Sequence, residues 1–332
     1  MILPFEGKSI ILGVPNHFGL PECFRKNLEY LGFTVYLIPH DENVKRQLSW
    51  QDTVVHGVKK ICFNNRLYKP EKIAIFQELM QLPLIETWGN VDYALIIRPD
   101  LFSETVLKMV KDKSNFLIGY QWDGMRRFPL AEKRIPYFDK FYVFDKQDVH
   151  RFSNIFHTTN FYFDYLSMPN ATQQDVFFIG TFMKDRMAIL AKLSQTFEAL
   201  GISQNMTVVC HNKKKIKPYE SLLIHFEKSG QAFEQSIKTS MASNILIDVE
   251  NTKHQGLSFR CFEAIGYSKK LITNNPLVKK YDFYNENNVL VLDDNWQSSD
   301  VAQFIKKPYI AHPDIESYYS FSNWIYRIID KR

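Results

Sequence analysis

Short apolar runs alternate along this chain with segments whose apolar residues recur at helical spacing, and that alternation leaves few folds open. Ser9-Ile10-Ile11-Leu12-Gly13-Val14 has the continuous apolar character of a strand buried on both faces, and it ends at Pro15-Asn16. Phe24, Leu28 and Leu31 follow at helical spacing until Gly32, and Phe33 to Ile38 resumes the strand pattern. The same reading places strands at Tyr93–Ile97, Phe116–Tyr120 and Phe141–Phe144, with a helix over 102–112. Periodicity weakens over 160–174, which reads as an interdomain linker, and the pattern then restarts. Strands are expected at 175–179, 207–210, 244–249, 270–273 and 289–292, helices over 184–200, 230–242 and 256–267, and a closing aromatic-rich helix over 315–329. Strands that alternate with helices form parallel sheets, whose ligands gather beyond the carboxyl ends of the strands.

A single core stops growing near ~250–300 residues; this chain has 332. Two Rossmann-like α/β domains are therefore expected, over 1–165 and 172–312, with their parallel sheets facing across a cleft. A C-terminal helix over 313–332 is expected to cross back to the first domain. The 27 Phe and 17 Tyr supply enough aromatic area for two cores.

The formal net charge of +5 suits phosphorylated substrates and a peripheral contact with the anionic inner face of a membrane. With neither a long basic arm nor an aromatic-glycine RNA motif, nucleic acid is not an expected partner. Cys23, Cys62, Cys210 and Cys261 form no CxxC pair, which argues against a metal or disulfide framework and for a reducing cytoplasm. Residues 1–6 do not read as a secretion signal, and no run reaches the ~18 apolar residues of a membrane span.

The chemistry concentrates in Gln255-Gly256-Leu257-Ser258-Phe259-Arg260-Cys261-Phe262-Glu263-Ala264-Ile265-Gly266, directly after the strand at 244–249 and its loop. Gly256 and Ser258 stand where a helix begins, and unpaired N–H groups with a partial positive charge there suit a diphosphate. Gly256 lets a phosphate approach closely. Arg260 offers two parallel hydrogen bonds to a phosphate, and Glu263, on the same helical face, offers two acceptor oxygens to ribose hydroxyls. At spacing i,i+3 the two side chains are equally suited to pairing with one another.

This stretch resembles the C-terminal-domain signature of GT-B glycosyltransferases, in which a glycine-containing loop opens a helix whose glutamate holds the donor ribose. More narrowly, the chain resembles bacterial lipopolysaccharide, core or capsular polysaccharide biosynthesis glycosyltransferases. The likeness rests on Gly256-Leu257-Ser258-Phe259-Arg260 with Glu263, on Lys269-Lys270-Leu271-Ile272-Thr273-Asn274-Asn275, and on Tyr120-Gln121-Trp122-Asp123, Tyr137-Phe138-Asp139-Lys140 and Phe144-Asp145-Lys146-Gln147-Asp148. It implies a metal-independent hexosyltransferase with no cofactor, moving a sugar from a nucleotide-sugar donor, a UDP-sugar foremost, to a glycan or lipid-linked glycan acceptor. The first domain would hold the acceptor and the second the nucleotide sugar. Gly180 and Thr181 would approach the donor phosphates through backbone N–H groups, and Arg186 or Lys214 would add positive charge at the leaving diphosphate.

For a general base, Asp123 ends a strand of the first domain beside Trp122, whose bulk would raise the carboxyl pKa by partial burial. His17, in the loop after the first strand, is the competing base, and Asp145 reads as the cap of the helical turn after it. Inversion needs such a base, whereas under retention Asp123 would position the acceptor; both outcomes stand open. No Asp-x-Asp, GxGxxG after a strand, GxxxxGK[ST], HExxH or GxSxG occurs. Two other readings share the pattern: a CMP-ulosonic-acid transferase, and a noncatalytic nucleotide-sugar-binding scaffold of a polysaccharide assembly complex. A nucleotide panel separates the first and an unaltered Asp123→Ala variant would mark the second.

Overall fold

The computed structural model describes residues 3–41, 44, 48–63, 65, 67–151, 154–249 and 256–330. The chain divides into two compact units, Met1–Thr159 with Ile325–Arg332, and Asn160–Trp324.

The first unit runs β1 (Ser9–Gly13), α1 (Leu20–Tyr30), β2 (Thr34–Ile38), α2 (Trp50–Phe63), α3 (Tyr68–Thr87), β3 (Tyr93–Ile97), α4 (Glu104–Lys113), β4 (Leu117–Gln121), α5 (Leu130–Arg134), β5 (Lys140–Val143) and β6 (Ile155–His157). Its strands form a parallel sheet in the order β2-β1-β3-β4-β5-β6. The middle strands are continuous apolar runs because helices cover both faces; Ile10 to Leu12 and Ala94 to Ile97 are fully buried. Ser103 caps α4, its hydroxyl accepting from the Val106 amide at 3.2 Å. Gly32 ends α1 at φ 101°, and a Cβ there would lie 2.8 Å from Leu3 Cβ, so the turn requires glycine.

The second unit runs β7 (Gln174–Thr181), α6 (Lys184–Ala199), β8 (Gln204–Val209), α7 (Lys213–Ile216), β9 (His225–Glu227), α8 (Phe233–Met241), β10 (Ser243–Asp248), α9 (Phe259–Gly266), β11 (Lys270–Thr273), β12 (Val289–Val291), α10 (Ser298–Lys306) and α11 (Pro313–Tyr318), followed by α12 (Phe321–Ile329). Its parallel sheet has the order β12-β11-β10-β7-β8-β9. That is the doubly wound Rossmann order, in which the chain lays strands to one side of the first and then returns to the other.

The boundary between the units falls at Thr159/Asn160, at the start of the expected linker; residues 161–163 are packed, whereas 167–173 are exposed and lie outside helices and strands. Phe161 and Phe163 are buried, with the Phe161 ring 4.5 Å from that of Trp324 and 4.9 Å from that of Phe321, and the Tyr162 amide donates to the Tyr319 carbonyl at 3.1 Å. Burial of one such ring contributes roughly 1.5–3 kcal/mol. The closing helix is two helices, because Ser320 leaves the helical pattern to form a parallel bridge with Tyr162. The end of α12 belongs to the first unit, where the Tyr142 hydroxyl donates to the Ile328 carbonyl at 3.4 Å and the Tyr326 ring lies 5.1 Å from that of Phe5.

Candidate functional site

Strand order fixes where each unit can build a site. In an open parallel sheet, a crevice opens beyond the carboxyl ends of the two neighbouring strands from which the chain winds in opposite directions. In the second unit those strands are β7 and β10; in the first they are β1 and β3.

Gly180 and Thr181 are the last residues of β7, and Val249 and Arg186, in the first turn of α6, stand just beyond β10 and β7. The Arg186 guanidinium donates to the Thr181 carbonyl from Nη1 at 2.9 Å and to the Val249 carbonyl from Nη2 at 3.0 Å. Its Nε–H is buried and has no partner among the described residues. Backbone carbonyls thus orient the guanidinium, which also lies 5.8 Å over the Phe178 ring. Burial lowers the Arg186 pKa, with the Asp248 carboxylate opposing the shift. A Cβ on Gly180 would come within 2.9 Å of Arg186 Nη1, so glycine is what lets the guanidinium lie there.

Gly256 and Leu257 precede α9, whose N-cap Ser258 bonds Asp248 at the end of β10. Gly256 has φ 150°, a conformation glycine takes readily. The buried Asn275 amide donates to the Gly256 carbonyl at 3.0 Å, and the buried Asn160 amide donates to the Leu257 carbonyl at 3.0 Å. In a trans peptide the N–H points opposite to the C=O, so these two bonds turn the Leu257 and Ser258 amides away from both asparagines. Neither Asn160 nor Asn275 was singled out from the sequence as a site residue.

The start of α9 is less open than the sequence suggests. Ser258 is its N-cap: the hydroxyl accepts from the Arg260 amide at 3.2 Å and donates to Asp248 Oδ1 at 2.7 Å. Asp248, at the end of β10, is a fixed anion beside the positive end of the helix. Arg260 and Glu263 take the pairing alternative. Arg260 Nη1 lies 3.1 Å from Glu263 Oε2, and both groups meet the Ser240 hydroxyl, at 2.5 and 3.0 Å. Glu263 is 3% exposed, and Arg260 stacks over the Phe177 ring at 4.8 Å. Glu263 therefore stands beneath Arg260 and not at an open surface. Lys214 is exposed in α7, beyond the neighbouring strand β8, its amide bonded to Asn212 Oδ1 at 3.0 Å. Gln255 lies outside the described residues.

In the first unit, His17 is exposed in the loop after β1, just before Phe18 and Gly19, both with positive φ, at 53° and 76°. Asp123 follows β4, and its carboxylate is held by Nη1 of Arg98, a residue the sequence reading left unassigned. Arg98 follows β3, is buried, and has the left-handed φ of 57°. It also grips both Asp100 oxygens, at 2.7 and 2.8 Å, and lies 3.9 Å over the Phe128 ring. Burial opposes the charged form of Arg98, but the hydrogen bond and charge of Asp100, with Asp123, outweigh it and raise its pKa. His17, Arg98 and Asp123 thus follow β1, β3 and β4, neighbours along one carboxyl edge of the sheet. Asp145 accepts from the Gln147 amide at 2.9 Å, as the cap of the turn after it.

No family model and no curated protein matches the chain. Solved structures match nearly all of it. An α-glucosyltransferase in complex with UDP and a 13-mer DNA containing a HMU base is 10% identical, with a TM-score of 0.53 over 96% of this chain and 97% of that one. The N-terminal domain of trehalose-6-phosphate phosphatase from Candida albicans is 8% identical, with a TM-score of 0.52 over 99% and 98%. A trehalose-6-phosphate structure from E. coli bound with UDP-2-fluoro glucose is 8% identical, with a TM-score of 0.51 over 93% of each chain. At such identities the likeness is one of fold, and that fold is the GT-B architecture of glycosyltransferases, α/β with two Rossmann-like domains, each on a parallel six-stranded sheet.

Proposed function

We propose that this protein is a glycosyltransferase that takes a sugar from a nucleotide-activated donor, a UDP-sugar, and places it on a hydroxyl of a bacterial surface glycan. The observation that carries the reading is Arg186: a guanidinium whose hydrogen bonds among the described residues go to two backbone carbonyls, at the β7/β10 crevice where open α/β sheets bind ligands. Such a cation stabilises the negative charge that develops on a departing diphosphate, the largest electrostatic demand of sugar transfer without a metal. The Leu257 and Ser258 amides, turned by Asn275 and Asn160, would add donors to the same phosphates. Gly180 and Thr181 would let the diphosphate approach the end of β7, and exposed Lys214 would meet it from β8. Buried Glu263 would act through Arg260, fixing a second cation below the loop.

In the first unit, Asp123 would accept the proton of the attacking hydroxyl, oriented by Arg98, with His17 as the competing base. UDP-bound structures among those of similar fold favour UDP over CMP as the donor nucleotide.

A nucleotide panel tests this reading. UDP at about a hundredfold over its Kd should add roughly 2.7 kcal/mol of apparent stability and raise the melting temperature. Protection by CMP but not UDP would move the protein to the ulosonic-acid class. Protection by neither would remove the donor site.

A further inference from the structure

An amphipathic helix on a globular surface normally turns its apolar stripe inward. In α2 the arrangement is reversed. Trp50, Val54, Val58 and Ile61 share one helical face at spacings of four, four and three, and every one of them is exposed; Trp50 is 75% and Ile61 84% exposed. The polar side faces α3: Asp52 accepts from the Tyr68 hydroxyl at 2.9 Å and lies 3.8 Å from Lys72, and Lys59 stands 4.5 Å over the Tyr68 ring. No residue of α2 is buried. Phe63 extends the apolar surface at the helix end, 74% exposed.

We propose that α2 is a membrane-docking helix that lies in the interface of an anionic lipid bilayer. The occupant follows from charge. Lys60 and Lys69 line one open depression with His56. Two acids of these helices are engaged elsewhere, Asp52 by Ser49, Tyr68 and Lys72, and Glu71 by Lys133 at 2.9 Å. The hairpin therefore offers cations beside an apolar stripe with a tryptophan at one end and a phenylalanine at the other, the composition of an interfacial helix. A protein partner of ordinary surface would leave the lysines unmatched, whereas anionic headgroups match them. No helix among the described residues is long and apolar enough to cross a membrane, so α2 would lie on the bilayer and not span it. The inference does not depend on the transfer reading.

The test is flotation of the full chain with vesicles of phosphatidylcholine alone and of phosphatidylcholine mixed with phosphatidylglycerol. The chain should float with the mixed vesicles, less with the neutral ones, and less as salt rises. Trp50→Ser with Ile61→Ser should abolish flotation, at sites exposed enough to leave the melting temperature unchanged. Lys60→Gln and Lys69→Gln should each weaken binding to the mixed vesicles about fivefold. The mixed vesicles should also shift tryptophan emission to the blue in the parent chain and not in Trp50→Phe. Flotation that survives the double serine change would overturn the assignment, as would no flotation on either vesicle. A concentration-dependent dimer that the serine changes dissolve, with no vesicle binding, would assign the stripe to a second copy of the chain and overturn it equally.

Discussion

Arg186 Nη2 donates to the Val249 carbonyl at 3.0 Å, and this bond ties the first turn of α6 to the end of β10 across the crevice of the second sheet. The guanidinium is thereby held in place before any ligand arrives, so little of its freedom remains to be lost on binding. Replacing it with alanine should weaken UDP binding roughly 10- to 100-fold, the worth of one charge-assisted hydrogen bond at ~1.5–3 kcal/mol. Arg186→Lys keeps the charge but cannot reach both carbonyls, and should fall between. Isothermal titration with UDP reads both.

Gly180→Ala tests the same geometry without touching a charge. The new Cβ would lie 2.9 Å from Arg186 Nη1 and 2.9 Å from Phe178 Cζ. The guanidinium must turn away, at a cost on the order of 1 kcal/mol or more. UDP affinity should fall about tenfold, with the circular dichroism spectrum unchanged.

Much of the fold was legible because strands buried on both faces are short apolar runs between breakers. β3 at Tyr93–Ile97 and β11 at Lys270–Thr273 fall where their runs do. The edge strands β6 and β9 escaped that signal: each pairs on one side and spans only three residues, and two of the three in His225-Phe226-Glu227 are polar. The α2–α3 hairpin escaped it too, since α2 turns its stripe outward and α3 carries apolar residues all round with Pro83 inside. In the site, the i,i+3 spacing of Arg260 and Glu263 already contained their pairing; what it lacked was Ser240, brought from α8 by the fold. Arg98 was visible as a cation at a strand end with an acid two residues on, but its grip on Asp123 spans two strands, a relation only the sheet order supplies. Motif positions such as Lys270 proved to be framework: its ammonium donates to the carbonyls of Phe304, Ile305 and Lys307.

The Arg98 cluster separates stability from turnover. Arg98→Ala leaves Asp100 buried without its cation and should lower stability by about 3–5 kcal/mol. Asp123→Asn keeps a hydrogen-bonding group beside Arg98, so the melting point should hold while sugar transfer falls by ~10²–10⁴. Thermal melts beside a donor-consumption assay distinguish the two variants.

His157 gives a pH signature. Burial, with Lys146 nearby, pushes its imidazole below the ordinary 6.5. The folded chain therefore binds this proton more weakly than the unfolded chain does. The stability it contributes is fully present above 6.5 and declines as pH falls toward the lowered folded value. His157→Gln should flatten that part of the stability profile, as read by urea midpoints at stepped pH.

Breaking the Arg260 pair should cost fold as well as function. Glu263→Ala leaves a half-buried guanidinium without its carboxylate and should destabilise the second unit by up to about 3 kcal/mol. UDP affinity, measured well below the melting point, should drop less than in Arg186→Ala.

A crystal structure of the UDP complex bears most directly on the donor site. The diphosphate is expected within hydrogen-bond reach of Arg186 and of the Leu257–Ser258 amides, beyond the carboxyl ends of β7 and β10. UDP seated elsewhere, with the Arg186 guanidinium still bonded only to Thr181 and Val249, would contradict the account.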